Sequence, residues 1–209
     1  QLVYRHLDQD ESTIFSIGPL DCQLNKGEIL FICGGNGSGK TTMIKALSSL
    51  YPPYTGELNL DGTVIDKHER SSFRQLFSVV YSDFHLFDKL YGLKDIDPVR
   101  VNSLLEKLGL ADKTSFTGTG FSNLNLSQGQ RKRLAIVAAL LEERPVYLFD
   151  EPAAELDPEF RRYFYEIFLP ELRDEGKTIV VITHDDRYFS CCDRILKMES
   201  GQIVQEDRS

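Results

Sequence analysis

The stretch "ICGGNGSGKTT" (residues 32–42) ends an apolar run and gives up its side chains at Gly34, Gly35, Gly37 and Gly39, just before a lysine and two threonines. Residues 28–33 read as a buried strand. After the glycines, Met43, Ile44, Leu47 and Leu50 recur at helical spacing until Pro52 and Pro53 stop the pattern. The turn between strand and helix fits GxxxxGK[ST] through Gly34, Gly39, Lys40 and Thr41. Glycines let a backbone bend tightly and wrap successive N–H groups around an anion, and a helix starting near Lys40 aims its positive end at the same spot. Lys40 adds a point charge for the β- and γ-phosphates, and the Thr41 hydroxyl suits a magnesium ion. A nucleotide replaces the missing side chains.

A second helix start lies in "LNLSQGQRKRLAIVAALLEERP" (residues 124–145), where Leu134, Val137, Ala138 and Leu141 mark one face. Ser127 with Gln130 three residues on is a capping-box signature. Arg131, Lys132 and Arg133 then crowd the end of the helix where its own dipole is positive. They either face an approaching anion or form a solvated basic turn paired with acidic neighbours such as Glu142 or Glu143. Gly129 leaves the helix end bare, so that a ligand could approach its N–H.

"PVYLFDEPAAELDP" (residues 145–158) runs apolar from Val146 to Phe149 and ends in Asp150 and Glu151. In an open parallel sheet the carboxyl ends of strands line the ligand crevice. There Asp150 is placed to hold magnesium and Glu151 to orient or deprotonate water. "KTIVVITHDDRYF" (residues 177–189) repeats the design, with His184 at a second strand end.

The 209 residues suffice for one domain carrying a subdomain, and 41% hydrophobic with 27% charged residues is a globular composition. The longest apolar runs are near five residues, against the roughly twenty needed to span a bilayer. A formal charge of −8 argues against a broad nucleic-acid-binding face. Cys22, Cys33, Cys191 and Cys192 show no CxxC spacing and read as reduced thiols.

Further along, Asp97 and Pro98 begin a helix with Val101, Leu104, Leu105 and Leu108 on one face, ended by Gly109. "TGTGFSN" (residues 117–123) reads as a flexible link. Asp157 and Pro158 start another helix, whose Phe160, Phe164, Ile167 and Phe168 form a core stripe that Pro170 kinks or ends. Strands are expected near 179–183, 194–198 and 202–205.

In order, these motifs resemble the ATP-binding cassette (ABC) ATPases. "GGNGSGKT" is similar to their Walker A, "LSQGQ" to their signature, "VYLFDE" to their Walker B with its glutamate, "AELD" to their D-loop and "ITHD" to their switch-histidine loop. The resemblance implies an α/β fold. Its P-loop NTPase core would have a mainly parallel sheet with flanking helices, an antiparallel N-terminal β part and a helical subdomain inserted at 84–143. It also implies that two copies pack head to tail, each ATP lying between Lys40 of one and Ser127 with Gly129 of the other. Carried over residue by residue, Gly34, Asn36, Gly37, Ser38, Gly39, Lys40, Thr41 and Thr42 would hold ATP from one side, and Ser127, Gly129 and Gln130 from the other. Thr41 and Asp150 would bind Mg2+, Glu151 would be the general base, His184 would contact the γ-phosphate, and Tyr4 in the opening "LVY" would stack on adenine.

The family usually carries a glutamine where "VVYSDFHLF" (residues 79–87) has Ser82, followed by Asp83, a candidate replacement metal ligand. "RQLFSVVYSDFHLFD", "LSQGQRKRLA", "ALLEERP", "DPEFRRYFY" and "HDDRYF" together resemble bacterial exporters of cyclic peptides and peptide siderophores. That likeness implies a membrane domain preceding Gln1 on the same chain, a piece excised from a longer protein, and a place on the cytoplasmic face of the inner membrane, with no nucleic-acid partner. The other classes weighed are a soluble DNA-repair or chromosome ATPase, which should carry a long heptad insertion that is absent here, and a low-turnover ATP clamp.

Overall fold

The computed structural model describes residues 2–7 and 13–208; Gln1, expected to open a strand, lies outside them. Its centre is a six-stranded sheet in the order β10-β9-β3-β8-β7-β6. These strands are β3 (Ile29–Cys33), β6 (Phe77–Val80), β7 (Val146–Asp150), β8 (Thr178–Ile182), β9 (Arg194–Glu199) and β10 (Gln202–Arg208). All neighbours run parallel except β9 and β10, which pair antiparallel. The inner strands read as continuous apolar runs because both faces are covered: every residue of β8 is buried.

Two core clusters flank the sheet. Phe31, Tyr147, Phe149 and Val181 point into one, Leu30, Ile32, Leu148 and Val180 into the other, as the alternation of a strand requires. On the second side lie α1 (Lys40–Leu47) and an antiparallel pair, β1 (Leu2–Leu7) with β2 (Thr13–Leu20). A short hairpin, β4 (Asn59–Leu60) with β5 (Thr63–Val64), and α2 (Arg70–Arg74) lead to β6. The first cluster takes in α3 (Pro98–Lys107) and α4 (Gln128–Leu141), whose Val101, Leu105, Leu134 and Val137 are fully buried or nearly so. Asp97 caps α3 by accepting the Val99 N–H, with Pro98 in the first turn. Among the described residues no helix is long and apolar enough to cross a membrane, and none of the four cysteines is in a disulfide.

Three local expectations change. Helix α1 stops at Leu47 and Ser49 takes a positive φ, so Leu50 leaves the helical face and is half exposed. Pro170 does not end the helical run. Helix α5 (Pro158–Tyr163) passes through a π-helical turn (Phe164–Phe168) into α6 (Leu169–Asp174), whose first turn holds the proline. The wider turn accommodates a residue that has no N–H to donate and whose ring would crowd the preceding turn. It also shifts the register: Tyr165 turns into the core, and Ile167, expected there, points out at 47% exposure.

The "TGTGFSN" segment is held rather than loose. Leu90 N–H donates to Thr119 O, Phe121 N–H donates to Asp88 O, and Phe121 is buried. A Cβ on Gly120 would lie 1.8 Å from Asp88 O. Gly120→Ala should therefore cost about 1–3 kcal/mol, the usual range for overpacking, read as a lower midpoint in urea. An unchanged midpoint would show that the segment yields freely.

Candidate functional site

The loop between β3 and α1 is bent for two different reasons. Gly34 (φ 141°) and Gly39 (φ 100°) sit against the scaffold, where a Cβ would come 2.1 Å from Met198 O and 2.6 Å from Ile17 Cγ2 respectively. Gly35 and Gly37 face open space. Exposed Asn36 lies between them. The backbone N–H groups of Asn36, Gly37, Gly39 and Lys40 find no acceptor among the described residues, and buried Ser38 Oγ has no hydrogen-bond partner. Orphaned donors around an open concavity are what an anionic group satisfies. Lys40 closes the loop from below: its Nζ donates to Gly34 O (2.8 Å) and Gly35 O (2.9 Å). Burial pulls its pKa below the ordinary lysine value, opposed by the Glu151 and Asp150 carboxylates.

The neighbouring strand ends meet this loop. Thr41 Oγ1 donates to Asp150 Oδ2 at 2.9 Å, and Ser82 Oγ donates to the same oxygen at 3.3 Å. Asp150 is 1% exposed at the end of β7. Next to it Glu151 adopts a positive φ of 48°, its N–H bonded to Ile182 O, and its Oε1 lies 3.0 Å from His184 Nε2. Beneath His184, buried Thr183 meets the Tyr165 hydroxyl at 2.7 Å and accepts the Asp185 N–H; burial raises the Tyr165 pKa to about 12. A cavity of about 340 Å³ opens beside Glu151 and His184, reaching Arg161 and Arg187. Among the described residues no cluster of three or more His, Cys, Asp or Glu could cage a metal. One carboxylate with hydroxyl neighbours, beside a loop of open amides, fits Mg2+, which keeps waters and shares substrate phosphates.

A family model described as ABC transporter matches residues 17–154 of the chain. The chain belongs to the ABC transporter family. The ATP-binding protein SyrD of Pseudomonas syringae pv. syringae is 47% identical over 203 residues, 95% of this chain and 36% of SyrD, so the chain spans about a third of that relative. Two solved structures superpose at 25% identity with a TM-score of 0.82, each over 99% of this chain. One is a dimeric ATP-binding cassette in a post-hydrolysis state with ADP and Pi, 96% covered; the other is a bacterial Atm1-family ABC exporter with ATP bound, 37% covered.

In this ABC ATPase domain the start of α4 differs from the simple picture of cations awaiting an anion. Arg131 Nη1 donates to Leu124 O, while Arg133 donates to Leu108 O and Asp157 and lies over the Phe160 ring at 4.5 Å. Lys132 Nζ donates to Tyr81 O and Asp150 O. The three charges hold the cassette together from within, their donors used by carbonyl oxygens and the Asp157 carboxylate of the same chain. The capping box is formed in full: Gln130 N–H donates to Ser127 Oγ and Ser127 N–H to Gln130 Oε1. Gly129 is not simply bare, for a Cβ there would lie 2.7 Å from Glu155 O. Among the described residues no hydrogen bond joins Ser127, Gly129 or Gln130 to the 34–42 loop.

Of the remaining candidates, Thr42 lies half-buried in the first turn of α1, and Tyr4 stacks on Tyr51 with ring centroids 4.9 Å apart. Asp83 is exposed and lines a polar cavity with Phe84, Gln128, Arg131 and Glu155; it is Ser82 that reaches Asp150. Sequence reasoning missed Tyr165 and Lys132 as parts of the site's support, because nothing local marks a core-striped helix or a basic turn as reaching a strand end. Gly129→Ala should lower the nucleotide-free denaturation midpoint, although alanine's helix preference alone would gain about 1 kcal/mol. A raised midpoint would show that the Glu155 carbonyl gives way.

Proposed function

We propose that the chain is the ATP-hydrolysing motor of an exporter, closing head to tail with a second copy around ATP and reopening after hydrolysis. The observation that carries this reading is the convergence, at the carboxyl ends of adjacent strands, of Thr41 with Asp150 and of His184 with Glu151 beside a loop of orphaned amides. The likeness to a dimeric cassette with ADP and Pi and to an exporter with ATP bound supports it. A transmembrane domain, on the same chain, would place the cassette at the cytoplasmic face of the membrane. A cyclic or modified peptide is the cargo we favour, on the motif set shared with such exporters.

On this reading the amides of Asn36, Gly37, Gly39 and Lys40 and the Lys40 ammonium hold the β- and γ-phosphates, with Ser38 and Thr42 lining the grip and Tyr4 stacking on adenine. Thr41 and Asp150 would hold Mg2+, which would supply positive charge to neutralise the phosphates. Asp83 is a further candidate ligand. Glu151 takes a proton from the water that attacks the γ-phosphorus as the bond to the ADP oxygen breaks. His184, fixed against Glu151, contacts the γ-phosphate. Ser127, Gly129 and Gln130 act on the nucleotide of the other copy.

Glu151→Gln should keep ATP binding and cut turnover by about 100-fold or more, the usual worth of a positioned base; equal and negligible rates in variant and parent would favour an ATP clamp. Lys40→Ala should lose binding or turnover, and unchanged hydrolysis would remove Lys40 from the site. Lys40→Ala and Ser127→Arg chains, each inactive alone, should partly recover turnover when mixed, since one composite site is then whole. No recovery at concentrations that support dimers counts against shared sites.

A further inference from the structure

The loop and strand ends give work to Lys40, Thr41, Asp150, Glu151 and His184, but not to Lys132. This lysine sits near the start of α4 and is 3% exposed. Its Nζ donates to Tyr81 O at 3.0 Å and Asp150 O at 3.2 Å, and lies 5.0 Å from the centre of the Phe84 ring. Burying an ammonium is costly unless its donors are used, and an apolar side chain of the same volume would pack there at lower cost. Packing alone therefore does not account for a charge at this position.

What the two carbonyls have in common does. Asp150 carries the carboxylate that receives the Thr41 and Ser82 hydroxyls, and Tyr81 immediately precedes Ser82. One ammonium thus holds two separate segments at the spacing that lets Ser82 Oγ reach Asp150 Oδ2. A serine has a short side chain, so the backbone must bring its hydroxyl to the carboxylate; a glutamine could span the gap by its own length.

We propose that Lys132 is a positioning residue for the magnesium cluster: by bridging Tyr81 O and Asp150 O it seats Ser82 against Asp150 and fixes the direction in which that carboxylate offers its remaining lone pairs. The inference rests on the reading of Thr41 and Asp150 as the holders of Mg2+ beside ATP. Support of this kind around a metal ligand typically changes metal affinity 10–100-fold.

The test compares parent, Lys132→Met, Lys132→Gln, Ser82→Ala and the Lys132→Met/Ser82→Ala double variant in the intact protein. ATP affinity is measured by displacement of a fluorescent nucleotide, with Mg2+ and with EDTA. The parent should gain affinity from Mg2+. Lys132→Met should keep its EDTA affinity within about twofold while losing about tenfold of the Mg2+ enhancement. Lys132→Gln, able to donate to one carbonyl, should fall between, and adding Ser82→Ala to Lys132→Met should cost little more. An undiminished enhancement in Lys132→Met, an equal loss in EDTA, or fully additive losses in the double variant would overturn the proposal. If Lys132→Met fails to fold, Ser82→Ala decides: its enhancement must fall by a comparable factor, and an unchanged value overturns the proposal. A parent that gains nothing from Mg2+ would instead strike down the reading of Thr41 and Asp150 on which the inference rests.

Discussion

The hydrogen bond from Thr41 to Asp150 joins residues 109 positions apart and ties the helix that follows the phosphate loop to the end of a central strand. Everything else at the site is arranged around it. Asp150 is nearly inaccessible to water, and an ionised carboxylate in such a place must have its lone pairs occupied. Two hydroxyls converge on one of its oxygens, and the Lys132 ammonium on its carbonyl. A carboxylate held at one oxygen and anchored at its backbone carbonyl is a fixed one, and the Mg2+ proposed here would need fixed ligands.

The glycines divide into two groups with different physics. Gly34, Gly39, Gly120 and Gly129 are places where backbone passes backbone, or a side chain, too closely for a Cβ. Gly35 and Gly37 have nothing near them and leave their amides open. The first group builds the loop, the 117–123 segment and the α4 start into the scaffold; the second leaves room for a ligand. A stiff support under an open grip costs little reorganisation when charge arrives, which is how fixed dipoles stabilise phosphate chemistry.

Helix α4 draws this logic across the molecule. Its basic residues are spent on carbonyls of Leu124, Leu108, Tyr81 and Asp150, so the Ser127 end is carried rigidly on the same framework that holds Asp150. If a second copy reads that end, as proposed, the two nucleotide sites of a dimer are connected by a path of short polar contacts within each chain.

Much of the site was legible in the sequence because its parts are local. The phosphate loop, the capping box of Ser127 and Gln130, and the acidic end of β7 are each specified by neighbours in the chain through turn sterics, capping and period-two burial. The mainly parallel class of the sheet was implied by the family resemblance, whereas the strand order β10-β9-β3-β8-β7-β6 came only with the tertiary structure. What the chain order could not decide is which distant groups meet. Lys132 looks like a surface cation in a basic turn until α4 is laid against β6 and β7; Tyr165 looks like the wrong face of a helix until a π-helical turn shifts the register. The pairing of Ser82 with Asp150 needs strands separated by more than sixty residues to be neighbours. Local chemistry names the groups that can hold a phosphate, and only the packing of helices on the sheet selects which buried charges and hydroxyls stand behind them, because those contacts are made by burial between segments with no sequence proximity.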